Sequence, residues 1–96
     1  MTTPAPYIET IKRYERLAEG YDRRWHGYSQ LTLRQALEAL QLSGPARVLD
    51  VGCGTGEFER LVVRRFPGLT IVGLDATPAM VAVARKKLTG CSLASF

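Results

Sequence analysis

Apolar residues in the first part of the chain recur every three or four positions. From Val48 onward they gather into short unbroken runs, so the pattern predicts helices followed by a sheet. Between Tyr7 and Ala18 they fall at positions 7, 8, 11, 14, 17 and 18, one face of a helix that Gly20 ends. Leu33, Ala36, Leu37 and Leu40 mark a second helix, which starts at Ser29 or at the capping-box-like Thr32 to Gln35; Ser43-Gly44-Pro45 closes it. The intervening Tyr21 to Tyr28 holds Tyr21, Trp25, His26 and Tyr28 and reads either as a flexible lid or as packing between helix and sheet.

Val48 to Val51 has the large apolar and β-branched character of a parallel strand covered on both faces, with Asp50 near its end. It runs into Gly52-Cys53-Gly54-Thr55-Gly56, glycine at every second position. Glu57 to Phe66 then carries apolar residues at 58, 61, 62 and 66, a helical stripe that Pro67-Gly68 stops. Leu69 to Leu74 is a second apolar run, ending in Asp75. Strand, loop, helix and strand in so short a span make a βαβ unit with parallel, adjacent strands. Thr77-Pro78, a capping residue followed by proline, opens a last helix to about Leu88, with Met80, Val81, Ala84 and Leu88 turned inward.

The glycines let the backbone turn tightly and let a ligand press against bare main chain. Their spacing narrows what that ligand is. Gly52 and Gly54 satisfy the first half of the dinucleotide fingerprint, but its third glycine falls on Glu57, a carboxylate where a pyrophosphate would sit. A Walker-type loop cannot be laid over this stretch either. The loop therefore suits a nucleoside without phosphates, and its carboxylates would welcome a cationic group. Asp75 follows Gly56 by 19 residues, close to the roughly 20 expected for an acid that takes ribose hydroxyls.

The run Val48 to Gly56, followed by Gly73-Leu74-Asp75 and Thr77-Pro78-Ala79-Met80, resembles the amino-terminal half of a class I S-adenosylmethionine-dependent methyltransferase. The flavour is that of small-molecule enzymes similar to the ubiquinone and menaquinone methyltransferases. The upstream Tyr21-Asp22-Arg23-Arg24-Trp25 resembles the tyrosine-aspartate segment of that group. The resemblance implies that Gly52, Gly54 and Gly56 line the methionine part of S-adenosyl-L-methionine, with Cys53 a small residue of the same cofactor-binding loop, and that Asp50 organises the cofactor's amino group, directly or through water or the Gly52 carbonyl. It also implies that Asp75 takes the ribose hydroxyls, that Ala76 and Met80 pack near ribose and adenine, and that Tyr14, Tyr21 and Trp25 are lid candidates. No catalytic base can be nominated. A complete domain of that family has more strands than this chain supplies, and its first strand lies mid-sheet. Here that strand is expected to present an unpaired apolar edge that invites a second chain.

Composition changes this picture little. Apolar residues make up 46% and charged residues 23%, as in folded domains, and no apolar run reaches the length of a membrane span. The start lacks a secretory pattern. Two cysteines 38 residues apart match no metal spacing and no disulfide framework, which points to the reducing cytoplasm. The net charge of +4 gathers at Arg23-Arg24, Arg64-Arg65 and Arg85-Lys86-Lys87; the last two fall at predicted helix ends and read as solvated cations rather than a nucleic-acid surface.

The expectation is one α/β unit: a truncated, Rossmann-like class I methyltransferase fold of two amino-terminal helices followed by a β-α-β-α parallel unit. Residues 1–44 form the helical lid region and 45–96 the cofactor-binding half. The expected partner is a small-molecule methyl acceptor, with neither membrane nor nucleic acid, and a homodimer through the sheet edge remains open. The rival readings are a nicotinamide-dependent oxidoreductase fragment and a non-catalytic module that binds cofactor or dimerises.

Overall fold

The computed structural model describes residues 4–42 and 45–96, so the expected Ser43-Gly44 helix stop lies outside the described residues. Helix α1 spans Ala5–Leu17, a 3₁₀ turn covers Ala18–Gly20, and helix α2 follows at once over Tyr21–Ala39. Strand β1 (Ala46–Val51), helix α3 (Glu57–Arg65), strand β2 (Leu69–Leu74), helix α4 (Pro78–Lys87) and a two-residue strand β3 (Ala94–Ser95) complete the order. All three strands are parallel, in the spatial order β1-β2-β3. Val48 pairs with Ile71 and Asp50 with Gly73, so both strand tips end level with each other.

The core lies between α3 and one face of the sheet. Val62, Leu69 and Ile71 are buried there, and Val48, Phe58, Phe66 and Leu37 pack around them. Successive residues of a strand point to opposite faces. Leu49, Val51, Val72 and Leu74 therefore share the other face, where they are 61%, 76%, 41% and 49% exposed. The expectation that Val48 to Val51 is covered on both faces is thus corrected. An unbroken apolar run calls for two covering layers, and the described residues supply one. Among the described residues β1 pairs with β2 alone, so its other edge is unpaired there, as expected.

Tyr21 to Tyr28 is not a loop. It forms the first turns of α2, which starts eight residues before Ser29, the earlier of the two starts expected for the second helix. Neither α1 nor α2 has a fully buried side chain; Leu37 of α2 packs against the core, and Ala18 is 2% exposed in the turn between the helices. One tie corrects the capping assignment. Thr77 occupies the N-cap of α4 but makes no side-chain cap bond. Instead Glu15 of α1 accepts the Ala79 N–H at 3.1 Å, placing a carboxylate at the positive end of the α4 dipole.

Candidate functional site

The loop after β1 is shaped by its own backbone. Gly52, Gly54 and Gly56 all have positive φ, at 79°, 57° and 77°. The Gly52 and Cys53 N–H groups both donate to the Leu74 carbonyl, at 2.7 and 2.9 Å, which locks the loop onto the tip of β2. The three glycines then divide by surroundings. A Cβ on Gly52 or Gly54 would meet nothing within 4 Å, so both present bare backbone to open space. A Cβ on Gly56 would come within 2.9 Å of Ala84 Cβ and 3.3 Å of Phe96, so Gly56 makes room for α4 and borders neither cleft described below.

Two clefts meet at Gly52, Gly54 and Tyr21. The larger, about 720 Å³, is walled by α1 through Tyr7, Ile11 and Tyr14 and by Asp75, Ala76 and Met80 on the β2 side. The smaller, about 440 Å³, lies toward α2 and holds Asp50, Cys53, Thr55 and Glu57. Met80 is 2% exposed, so it packs in the core while its surface borders the larger cleft. Tyr14 and Tyr21 lean together with ring centroids 6.4 Å apart. Burial, with Tyr14, Asp22 and Tyr28 close by, holds the Tyr21 phenol above its ordinary value. Trp25 borders neither cleft; it stays 42% exposed under the Arg24 guanidinium, 5.5 Å from the ring centroid, so it does not cover the site. His26 is exposed and also outside both clefts.

The two strand-tip acids differ in their ties. Asp75 accepts the Gly54 N–H on one oxygen and the Thr77 N–H on the other, each at 2.9 Å. Each oxygen keeps a further lone pair for an incoming hydroxyl. Asp50 lies on the inner face of β1, where it borders the smaller cleft and faces Glu59 of α3. Burial first, then the hydrogen bond and charge of Asp50, push the Glu59 carboxyl up to about 8. Cys53 is 8% exposed, and burial with the charges of Glu59, Asp75 and Asp50 pushes its thiol up to about 12, so it stays an unreactive neutral group.

Two further features escaped the sequence pattern. Glu59 is fully buried, although its type reads as surface. Its position three residues before the buried Val62, on the same helical face, was the available signal. Lys87 is the second, and it corrects the reading of the Arg85 to Lys87 cluster as solvated. Its side chain is 17% exposed and pairs with Asp22 at the start of α2 and, at 3.3 Å, with Glu57 at the start of α3. Thr55 donates to the same Asp22 and lies 3.2 Å from Lys87 Nζ. Glu57 also pairs with Arg60, so its charge is answered from within the chain. This cluster ties α2, the glycine loop, α3 and α4 to one point. Lys87→Met should cost about 1–2 kcal/mol of unfolding free energy, reduced from a fully buried pair by the partial exposure of Asp22. Urea titration checks this; an unchanged midpoint would show that the cluster is not a structural tie.

The family described as a methyltransferase domain matches residues 48–95, half of the chain, and the chain belongs to it. The chain is 48% identical over 54 residues to the trans-aconitate 2-methyltransferase of Methylobacterium nodulans, covering 56% of this chain and 21% of that protein. It is 35% identical over 83 residues to the demethylmenaquinone methyltransferase of Thermus thermophilus, covering 86% and 34%. Among solved structures it is similar to an S-adenosylmethionine-dependent methyltransferase of Thiobacillus denitrificans in complex with S-adenosyl-L-homocysteine. That likeness has a TM-score of 0.56 and 30% identity, over 67% of this chain and 27% of the other. The fold is therefore the Rossmann-like one of class I methyltransferases, and the family's cofactor is S-adenosylmethionine. The chain spans about a fifth to a third of the length of these curated relatives.

The residues present fit that cofactor. Two glycines leave open the space that any side chain would fill, and an acceptor-only carboxylate stands beside them with lone pairs to spare. Among the described residues no helix is long and apolar enough to cross a membrane.

Proposed function

We propose that this chain is the cofactor-binding portion of an S-adenosylmethionine-dependent methyltransferase acting on a small-molecule acceptor. The observation that carries the reading is the pairing of Asp50 and Asp75. They stand at neighbouring strand tips, each bordering a different cleft, and the clefts meet over Gly52 and Gly54. The nucleoside belongs in the larger cleft, with Asp75 accepting from the ribose hydroxyls and Ala76 and Met80 beside the base. The methionine portion then crosses Gly52 and Gly54 and turns its amino group toward Asp50. Cys53 and Gly56 shape the loop, and Tyr21 stands where the clefts join. The bound cofactor supplies a methyl group on a positively charged sulfur. The chain's own contribution is to bind, orient and exclude water, which is how binding groups lower the barrier of a direct displacement. The names of the relatives, which act on trans-aconitate and demethylmenaquinone, support a small-molecule acceptor.

Two unpaired thiols support an address in the cytoplasm. The free edge of β1 supports pairing with a second copy, which light scattering would report as a doubled mass; a monomer at all concentrations would end that idea.

Titration calorimetry with S-adenosylhomocysteine and with NAD tests the central reading. Binding of the first is expected, and binding of NAD alone would overturn it. Asp75→Ala should weaken S-adenosylhomocysteine binding by about 1–3 kcal/mol, through lost hydroxyl contacts and release of the Gly54 and Thr77 amides. Unchanged affinity would place the ribose elsewhere.

A further inference from the structure

Glu59 is the one side chain in the described structure whose buried polar atoms find no donor. It is wholly buried on α3, one helical turn before the core residue Val62, yet it belongs to a type that interiors reject unless neutralised or paired. The reason no donor is found is chemical. The group facing it across the interior is another carboxyl, Asp50 of β1, and two ionised carboxyls offer each other only lone pairs. A single proton resolves the conflict: carried by Glu59, it makes that group a donor and Asp50 its acceptor. Like-charged acids at close range behave this way.

The other groups around Glu59 leave it that proton. From the loop, the Cys53 thiol is held neutral by burial and by these same acids. From α4, Lys87 favours the ionised form but is engaged by Asp22 of α2 and by Glu57. From its own helix, Glu57 and Arg60 pair with each other. Asp75, at the tip of β2, is turned to the Gly54 and Thr77 amides. Asp50 is the carboxyl with one side toward Glu59 and another toward the smaller cleft.

We propose that Glu59 and Asp50 form a proton-sharing acid pair beneath the glycine loop, and that an ammonium group seated against Asp50 expels the shared proton. Glu59 is then a positioning residue: it holds the Asp50 carboxylate toward the cleft and never meets the ligand. The step balances. A positive ligand group enters, the Glu59 O–H bond breaks, and the proton leaves to buffer. Binding and proton loss are reciprocal, so affinity rises with pH wherever the free protein carries the proton. This inference rests on the proposed function, because the ammonium is that of the cofactor's amino-acid end.

The test is calorimetric titration of the intact chain with S-adenosylhomocysteine at pH 7, in buffers of different ionisation enthalpy. The dependence of the observed heat on the buffer counts protons released. The wild-type chain is expected to release a large fraction of one proton, and its affinity should rise several-fold per pH unit between pH 6 and 8. Glu59→Gln keeps a donor toward Asp50 but holds no ionisable proton; its proton release should fall to the small share that the ligand's own amine gives, and its affinity should vary little over that range. The ligand's own amine contributes equally to both chains. Binding without proton release by the wild type, or equal release by both chains, would overturn the acid pair while leaving the functional reading intact. Absence of binding by the wild type would overturn both. The wild-type count decides the matter alone should the variant not fold.

Discussion

Replacing Gly56 by alanine should lower the unfolding free energy by about 2–5 kcal/mol, whereas the same change at Gly52 should cost only about 1 kcal/mol. Both residues hold nearly the same left-handed backbone, with φ of 77° and 79°, so the conformational penalty of a Cβ is shared. The difference is packing. At Gly52 the new methyl meets nothing within 4 Å, while at Gly56 it lands 2.9 Å from Ala84 Cβ and 3.2 Å from its Cα. Ala84 is fully buried, and its Cα belongs to the α4 backbone, which cannot rotate aside as a long side chain would. Helix and loop must therefore separate. Urea denaturation of the two variants checks this. Equal losses would show that backbone conformation, and not the approach of α4, sets the cost.

Glu59→Gln is expected to act in the opposite direction, stabilising the chain at neutral pH by on the order of 2–3 kcal/mol. The sign follows from proton counting. Burial and Asp50 raise the folded carboxyl to about 8, from an ordinary value of 4.5 in the unfolded chain. Below the ordinary value both states carry the proton, and the favourable contribution is complete. Between about 4.5 and 8 the unfolded chain has released it and the folded chain has not, so stability falls with rising pH by about 1.4 kcal/mol per unit. Glutamine does not titrate, so the variant should show a flat profile where the wild type slopes. Unfolding free energies measured from pH 5 to 8 check the claim, and parallel profiles for the two chains would refute it. Because no ligand takes part, this measurement probes the shared proton independently of cofactor binding.

Much of the carboxyl-terminal half was legible before any coordinates. Leu69–Leu74 is a strand with the expected ends, and α3 and α4 begin at Glu57 and Pro78, because proline, glycine and period punctuate this stretch without contradiction. The amino-terminal half was less so. Tyr21 to Tyr28 mixes aromatic with charged residues and contains Gly27, so local pattern left a lid and packing between helix and sheet both open. It forms the start of α2, where Asp22 is tied to Thr55 and Lys87, partners 33 and 65 residues away that no local window contains. The single helical layer on the sheet was hidden for a related reason. Leu49 and Val51 announce burial, but what buries a strand's second face is supplied by other elements, not by the strand.

Residue type and order established the nature of the loop: alternate glycines after an apolar strand, an acid at each strand tip, and Glu57 where the dinucleotide fingerprint has its third glycine. These are properties of backbone freedom and residue type, which short-range order fixes. How the three glycines divide, with Gly52 and Gly54 facing open space and Gly56 against α4, came from the packing of separate elements. That packing also set Glu59 against Asp50 and drew Lys87 inward. The physical reason is that burial and charge pairing depend on which elements meet in space, and a group's chemistry is finished by neighbours that the chain brings from far away.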